Sequence, residues 1–557
     1  MKKHSKYILM VFLAGSLFTA CETTELDLRV SPNDLAADQG DPNLLLNAMQ
    51  LAYGTNQQVI GNLGAQLTRI DYMFGRNYFN NYPGSALNGI WARTYSSGFN
   101  GAGNITIQLG IFTNLQTLEQ IDTDSDIDYS FHVGVGKVLF AHSLFQLADY
   151  VGEAAFSEAG NPEAFPAPLL DSGEEVYAAA FDLLAEAEAL LVLDPPSQGA
   201  QDLFYDGDTS KWVKLINTLR LRSFKNTGDI AAFNAVIAEG NFITDTADDF
   251  QLPYGTSELQ PDDRHPDFIL DYTPSGAGIY QSNWLMELML NNNDPRIRYY
   301  FYRQENTTPG ADGPPDEETL RCSIEVPPQH YIDGGFIYCS VPNGYWGRSH
   351  GNDRGTPPDN FLRAAVGVYP AGGRFDDNSF DGVGLGLGGG GGGIEPIVLA
   401  SYVDFWRGEM AANDADRATF LRAGLEKSIE KVQSFGALDG AADMSFAPDA
   451  AVVMAYIDGI VADFNTATGD AKENIFAEQY FTTLFGGATE AYNYYRKTGY
   501  PTTVYPNWEL DPGPFPRSFL LPQNEVINNS NLTQRQDLST QVFWDTNPES
   551  PAFPPAN

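Results

Sequence analysis

Basic residues are scarce in this chain: 32 Lys and Arg stand against 72 Asp and Glu, a formal net charge of -40 over 557 residues. A surplus of that size repels phosphate backbones and anionic bilayer surfaces, which argues against nucleic-acid binding and against a polybasic membrane patch. Cysteine is nearly absent, with only Cys21, Cys322 and Cys339. No HExxH or Walker loop occurs, and five histidines follow the first twenty residues. The commonest signatures of metalloprotease and phosphoryl-transfer chemistry are therefore missing. Past Cys21 no run approaches 18 consecutive apolar residues, so no transmembrane helix is expected there. What the chain has in quantity is apolar and aromatic residues, 43% and 13%. A large folded core is expected, and disorder is not.

The one long apolar run lies at the start. Lys2, Lys3 and Lys6 precede Tyr7 to Phe18, and Thr19-Ala20 lead onto Cys21. This is a secretory signal over residues 1–20, too short to cross a hydrocarbon layer of ~30 Å. A Cys directly after the apolar run resembles the lipobox of bacterial lipoproteins, with Phe18 where Leu is more usual. The reading is lipidation at Cys21, the alternative being ordinary secretion. Residues 21–40 are polar and acidic with Pro32, as a tether would be. In an exported protein Cys322 and Cys339 become a candidate disulfide, the alternative being two buried thiols. A bridge over about 17 residues would contribute roughly 3 kcal/mol.

The folded body is expected from residue 41 to 557. Asp41-Pro42 reads as a cap followed by Pro at the first helical position, with Leu45, Ala48, Met49 and Ala52 on one face. The aromatics between 53 and 110, among them Tyr72, Phe74, Tyr82 and Trp91, read mostly as core. Asp122, Asp124, Asp126 and Asp128 alternate like a calcium loop, but Ile127 and Val133 stand where an EF-hand needs Gly and Glu, so the run reads as a solvated loop. Lys137 to Tyr150 is apolar nearly all round and predicts a buried helix with His142 as a core histidine. Ser172 with Glu175 forms a capping box ahead of a stripe running to Leu191, and Asp194-Pro195-Pro196 stops that helix. Ser210 starts another, and helical patterns return near 400–411, 417–434, 449–464 and 472–496. Paired helices of this length predict a mainly α fold of tetratricopeptide-like helix pairs, an α-superhelical scaffold, although no 34-residue repeat is evident. Residues 303–396 interrupt it with Pro, Gly and aromatics, ending in Gly388 to Gly393, which is expected to be a mobile loop.

Seven segments together resemble the SusD/RagB family of outer-membrane nutrient-binding lipoproteins. They are Asp41 to Asn47, Ala148 to Gly152 with Ser157 to Ala159, Gly207 to Trp212 with Asn217 to Arg222, Asn293-Asp-Pro-Arg296, Gly347 to Gly351 with Pro357-Pro-Asp359, Glu490 to Pro501, and Leu521 to Glu525 with Val542 to Asp545. The resemblance implies a helical scaffold with a large irregular, loop-rich ligand-binding half. It implies a lipid-anchored protein of the outer membrane facing the exterior, without cofactor or metal. Its partner would be a SusC-like TonB-dependent transporter, which it covers as a lid while delivering an oligosaccharide or peptide.

For the ligand site the stretch Tyr331 to Asn360 is the candidate. Tyr345 and Trp346 offer faces for stacking, and Asn343, Arg348, His350 and Asp353 offer polar edges. Tyr82 and Trp91 are candidates for a second aromatic platform. The alternative is that Arg348, His350 and Asp353 pin the loop internally, with Trp346 as its plug. A non-catalytic binder fits better than the two rivals, a glycosidase using a carboxylate pair and a purely structural surface lipoprotein.

Overall fold

The computed structural model describes residues 40–75, 77–96, 99–100, 106–107, 110–307, 326–339, 341–353 and 362–555. Met1–Asp41 and Pro42–Asn557 are two separate units. The signal segment, Cys21 and almost the whole tether lie outside the described residues, as does Cys322.

Helix α1, Pro42–Leu67, begins with Pro at a position whose N–H would have no intrahelical partner. Its inward stripe is Leu46, Met49, Ala52, Tyr53 and Ile60; Leu45 and Ala48, expected inside, are half-buried at its edge. Helices α2, Ile111–Asp124, and α3, Ser130–Tyr150, follow, and α3 is buried on nearly every face. His142 on α3 sits with Nδ1 2.6 Å from the Tyr53 hydroxyl, and burial holds its pKa well below the usual histidine value. It is a satisfied core histidine.

Helix α4, Gly173–Leu191, carries the capping box: the Glu175 N–H donates to Ser172 Oγ at 3.4 Å and the Ser172 N–H donates to Glu175 Oε2 at 2.9 Å. Helix α5, Thr209–Thr227, is capped by Asp208, whose Oδ1 accepts from the Ser210 N–H at 3.0 Å. Ser210 is thus already inside the helix. Helices α6, Ile230–Glu239, and α7, Asn283–Asn291, precede the irregular region. Beyond it come α8, Ala400–Glu409, α9, Asp414–Ser434, α10, Ala450–Thr466, α11, Asp470–Thr483, and α12, Thr489–Thr498. Sequence neighbours pack as pairs, α3 on α4, α5 on α6, α8 on α9 and α10 on α11, while α1 lies against α2, α3 and α12. The fold is mainly α, built on helix pairs. Met444–Thr466, which includes α10, is long and apolar enough to cross a bilayer by length and composition. Here it is an outer helix that packs on α9 and α11 and buries Ile457 and Phe464.

Strand content is small. β1, Phe250–Pro253, pairs antiparallel with β4, Ile394–Val398, and β2, Phe301–Tyr302, pairs antiparallel with β3, Ala365–Val366.

Two expectations change. The pattern from 472 to 496 is two helices, because Gly486 takes φ +88° and its Cα faces the Pro370 ring, where a Cβ would collide. The glycine run is pinned by backbone hydrogen bonds and is no free loop. Gly389 and Gly391 donate to the carbonyls of Gly373 and Gly372 at 3.0 and 3.1 Å, and Gly391 accepts from the His265 N–H at 2.9 Å. Glycine is needed because the two chain segments approach so closely that a Cβ at Gly388 or Gly393 would strike the carbonyl of Gly373 or Pro370.

Two buried polar knots tie the scaffold. In the first, Arg222 of α5 donates to Asp149 of α3 and Glu490 of α12, both at 2.6 Å, and Lys225 donates to Glu490 at 2.7 Å. Tyr177 and Trp544 donate to Asp149 at 2.5 and 2.8 Å. In the second, Arg296 is held by Asp294 at 2.9 and 2.6 Å and by Ser428, Thr483 and Gln479.

Candidate functional site

A cavity of about 550 Å³ opens where α1 ends. Asn62 and Gln66 come from the last turns of α1, and Asp71, Tyr72 and Phe74 from the extended segment after it. Asp267 and Leu270 are supplied by the short helix Pro266–Asp271, and Gly278 to Gln281 by the following loop. Arg363 and Val366 approach from β3 and its lead-in, and Phe485 and Gly486 from the break between α11 and α12. Splitting that helix is therefore what brings an aromatic residue to the cavity wall.

The polar edge is ordered from below. Asp271 is fully buried and accepts from the N–H of Ile279 at 2.8 Å and of Val366 at 2.7 Å, fixing two lining residues. Its pKa is pushed up to about 7 by burial, against the pull of those two donors. The Tyr280 ring lies between two guanidinium groups, Arg363 at 3.8 Å and Arg348 at 4.5 Å from its centroid. Tyr72 meets it edge-on, with centroids 5.6 Å apart at 71°, and donates to the Asn352 carbonyl at 2.5 Å. Burial raises the Tyr72 pKa to about 12, with Arg348 pulling the other way. Asp71 is raised to about 7 by burial and then by the nearby Asp267 charge. On the rim Phe74 and Leu270 are 58% and 52% exposed. An exposed aromatic beside amides, a guanidinium and carboxyl groups is the combination that takes a sugar ring by its apolar face and its hydroxyl edge.

The residues expected at the site divide. Arg348 reaches the cavity wall by stacking on Tyr280, and Asp353 lies close enough to raise the Tyr72 pKa. Trp346 is 4% exposed, packs against Cys339 and Leu362, and donates from Nε1 to the Thr307 carbonyl at 2.8 Å. Both of its faces are covered, as the plug reading has it. His350 is buried with its ring 6.0 Å from that of Tyr78, and burial, with the Arg69 charge adding to it, lowers its pKa well below the usual histidine value. Tyr82 packs edge-on to Phe519 at 5.3 Å and Trp91 against Tyr95 at 4.7 Å, both in the core. Tyr345 and Asn343 line a different cavity. Residues 354–361 of the expected stretch lie outside the described residues. Cys339 is disulfide-bonded, and its expected partner Cys322 lies outside them too. Among the described residues no group of three His, Cys, Asp or Glu side chains is placed to hold a metal.

Phe74, Tyr72, Tyr280 and Arg363 are the residues that sequence reasoning did not assign to binding. Only the run Asp71-Tyr-Met-Phe-Gly75 hints at them, by setting a large aromatic residue beside a glycine at the end of a helix.

Residues 71–314 match the family described as "Starch-binding associating with outer membrane". No curated protein matches the sequence. Among solved structures, a chitin-binding protein is 19% identical with a TM-score of 0.60, over 91% of this chain and 100% of that one. A chitin-binding SusD homologue from Flavobacterium johnsoniae is 18% identical with a TM-score of 0.56, over 91% and 99%. A SusD/RagB family protein from Bacteroides thetaiotaomicron is 15% identical with a TM-score of 0.60, over 92% and 100%. The family match covers the cavity segment Asp71 to Gln281, and the fold is shared with these solved structures over nine-tenths of the chain.

Proposed function

We propose that this protein captures a neutral glycan at the cell surface in the cavity bounded by Phe74, Tyr72 and Tyr280. The observation that carries the reading is Phe74 itself, a large ring left 58% exposed at the mouth of a cavity with ordered polar walls. Exposing such a ring costs stability unless something covers it. The chitin-binding names of two structural relatives support sugar as the class of ligand. In the fuller reading Cys21 carries lipid, the protein faces outward on the outer membrane, and it hands its ligand to a SusC-like TonB-dependent transporter.

A second reading rests on Asp71 and Asp267. Both line the cavity, and Asp71 is held protonated up to about pH 7, as a glycosidase acid catalyst requires. Calorimetric titration of the full chain with chitin, starch, xylan and mannan oligosaccharides and with extended peptides, followed by chromatography of each mixture, separates the readings. Saturable binding of a glycan that is recovered intact supports the binder. Shortened products establish the enzyme, and saturable binding of peptides alone moves the ligand to that class.

A further inference from the structure

Eight non-glycine residues of the described chain have positive φ, and four of them line one cavity: Asn293, Asn343, Asn378 and Phe380, at +52°, +64°, +61° and +55°. This cavity, of about 520 Å³, shares no lining residue with the one at Phe74. Asparagine tolerates the left-handed region because its short amide can bond locally, but a phenylalanine there is strained. Backbone strain of this kind persists where the surroundings enforce it, and it concentrates at ligand clamps.

Arg303 ties three of the four together, Asn343, Asn378 and Phe380. Its guanidinium lies between the Tyr345 ring at 4.9 Å and the Phe380 ring at 5.1 Å. It donates to both Asp376 oxygens at 2.6 and 3.2 Å, to the Asn343 carbonyl at 3.0 Å and to Asn378 Oδ1. Arg298 donates to the Asp376 carbonyl at 2.7 Å and to Asn378 Oδ1 at 3.0 Å. The arginines are therefore engaged as a frame, and Asp376, which is fully buried, offsets their charge. What the frame presents to the cavity is the partly exposed Phe380 ring and the side chain of Asn343 at the mouth. An apolar face with amide donors and acceptors, and little uncompensated charge, suits a neutral polyhydroxylated ring.

We propose that this second cavity is a separate binding site for a neutral saccharide. The proposal rests on the geometry around Phe380 and stands whether or not the Phe74 cavity binds glycan. Where the Phe74 cavity binds glycan too, a long chain that spans both sites binds more tightly than a short one, through effective concentration.

The test uses the full chain in three forms: Phe74→Ala, Phe74→Ala with Asn343→Gly, and Phe74→Ala with Phe380→Gly. Glycine keeps the left-handed backbone at both positions, so the fold should survive, and a thermal midpoint checks it. Each form is titrated with chitotetraose, maltotetraose, xylotetraose and mannotetraose by ligand-observed NMR. At least one tetrasaccharide should bind the Phe74→Ala protein saturably, and each added glycine should weaken that binding tenfold or more. The proposal is overturned if no tetrasaccharide binds the Phe74→Ala protein, or if both glycine variants bind within twofold of it.

Discussion

Arg222 Nε donates to Glu490 Oε1 at 2.6 Å across 268 residues of sequence, joining α5 to α12 inside the core. Burial alone would raise the Glu490 pKa, but Arg222 and Lys225 overcome it and hold the carboxyl at about 2. Arg222 also serves Asp149, so its removal leaves two carboxylates buried without their main cation. We expect Arg222→Ala to destabilise the protein by about 3–5 kcal/mol, the cost of breaking a buried pair from one side. A denaturant midpoint measures it, and a loss under 1 kcal/mol would mean that the knot is not cooperative.

The same groups set the pH dependence. Glu490 has its folded pKa below its ordinary value of 4.5, so the stability it contributes is present above that value and is lost as pH falls toward 2. The loss should reach about 3 kcal/mol. Asp71 and Asp271 behave oppositely. Their folded pKa values lie near 7, above the ordinary 3.8, so their contribution is full at low pH and is lost as pH rises from about 4 to 7. Stability measured across pH should therefore peak near 4–5, and Asp71→Asn should flatten the neutral limb. A profile that rises steadily to pH 7 would contradict both assignments.

The buried knots explain why so much of the scaffold was legible in the sequence and so little of the site. Asp149, Arg222, Glu490 and Trp544 each lie in a segment quoted for the family resemblance, and Asp294 and Arg296 in another. These motifs are strings of partners for one another, which is a structural role. Helices announced themselves through apolar periodicity and through caps such as Ser172 with Glu175, which act within a few residues. The binding surface does not work locally. Phe74 and Trp346 are both aromatic residues in Gly-rich surroundings, and what separates them is whether other parts of the chain cover the ring. Trp346 is covered by Cys339, Leu362 and the Thr307 carbonyl, and Phe74 is left open. The glycine run misled for the same reason: its partners, Gly372, Gly373 and His265, lie at a distance in sequence.

Trp346 gives a direct contrast. With its ring 4% exposed and its N–H bonded, Trp346→Ala should cost about 3–5 kcal/mol through the cavity it leaves. Thermal unfolding with and without a bound oligosaccharide checks this. A normal midpoint with weakened affinity would return Trp346 to the binding surface.

Lipidation at Cys21 remains a proposal with a simple readout. Cys21→Ala should move the protein from the membrane fraction to the soluble fraction after carbonate washing, in cells that make no SusC-like transporter. Retention in the membrane fraction would assign the anchor to another segment, with Met444–Thr466 the first to examine.

Phe74 is proposed as a sugar platform. The decisive measurement is the affinity of Phe74→Ala, with its thermal midpoint, for whichever oligosaccharide binds the unaltered protein most tightly. A residue already 58% exposed has little packing to lose, so the midpoint should stay within about 2 °C. Affinity should fall by about 1–3 kcal/mol, the loss expected for one stacking anchor. Unchanged affinity in a protein with an unchanged midpoint would contradict the claim.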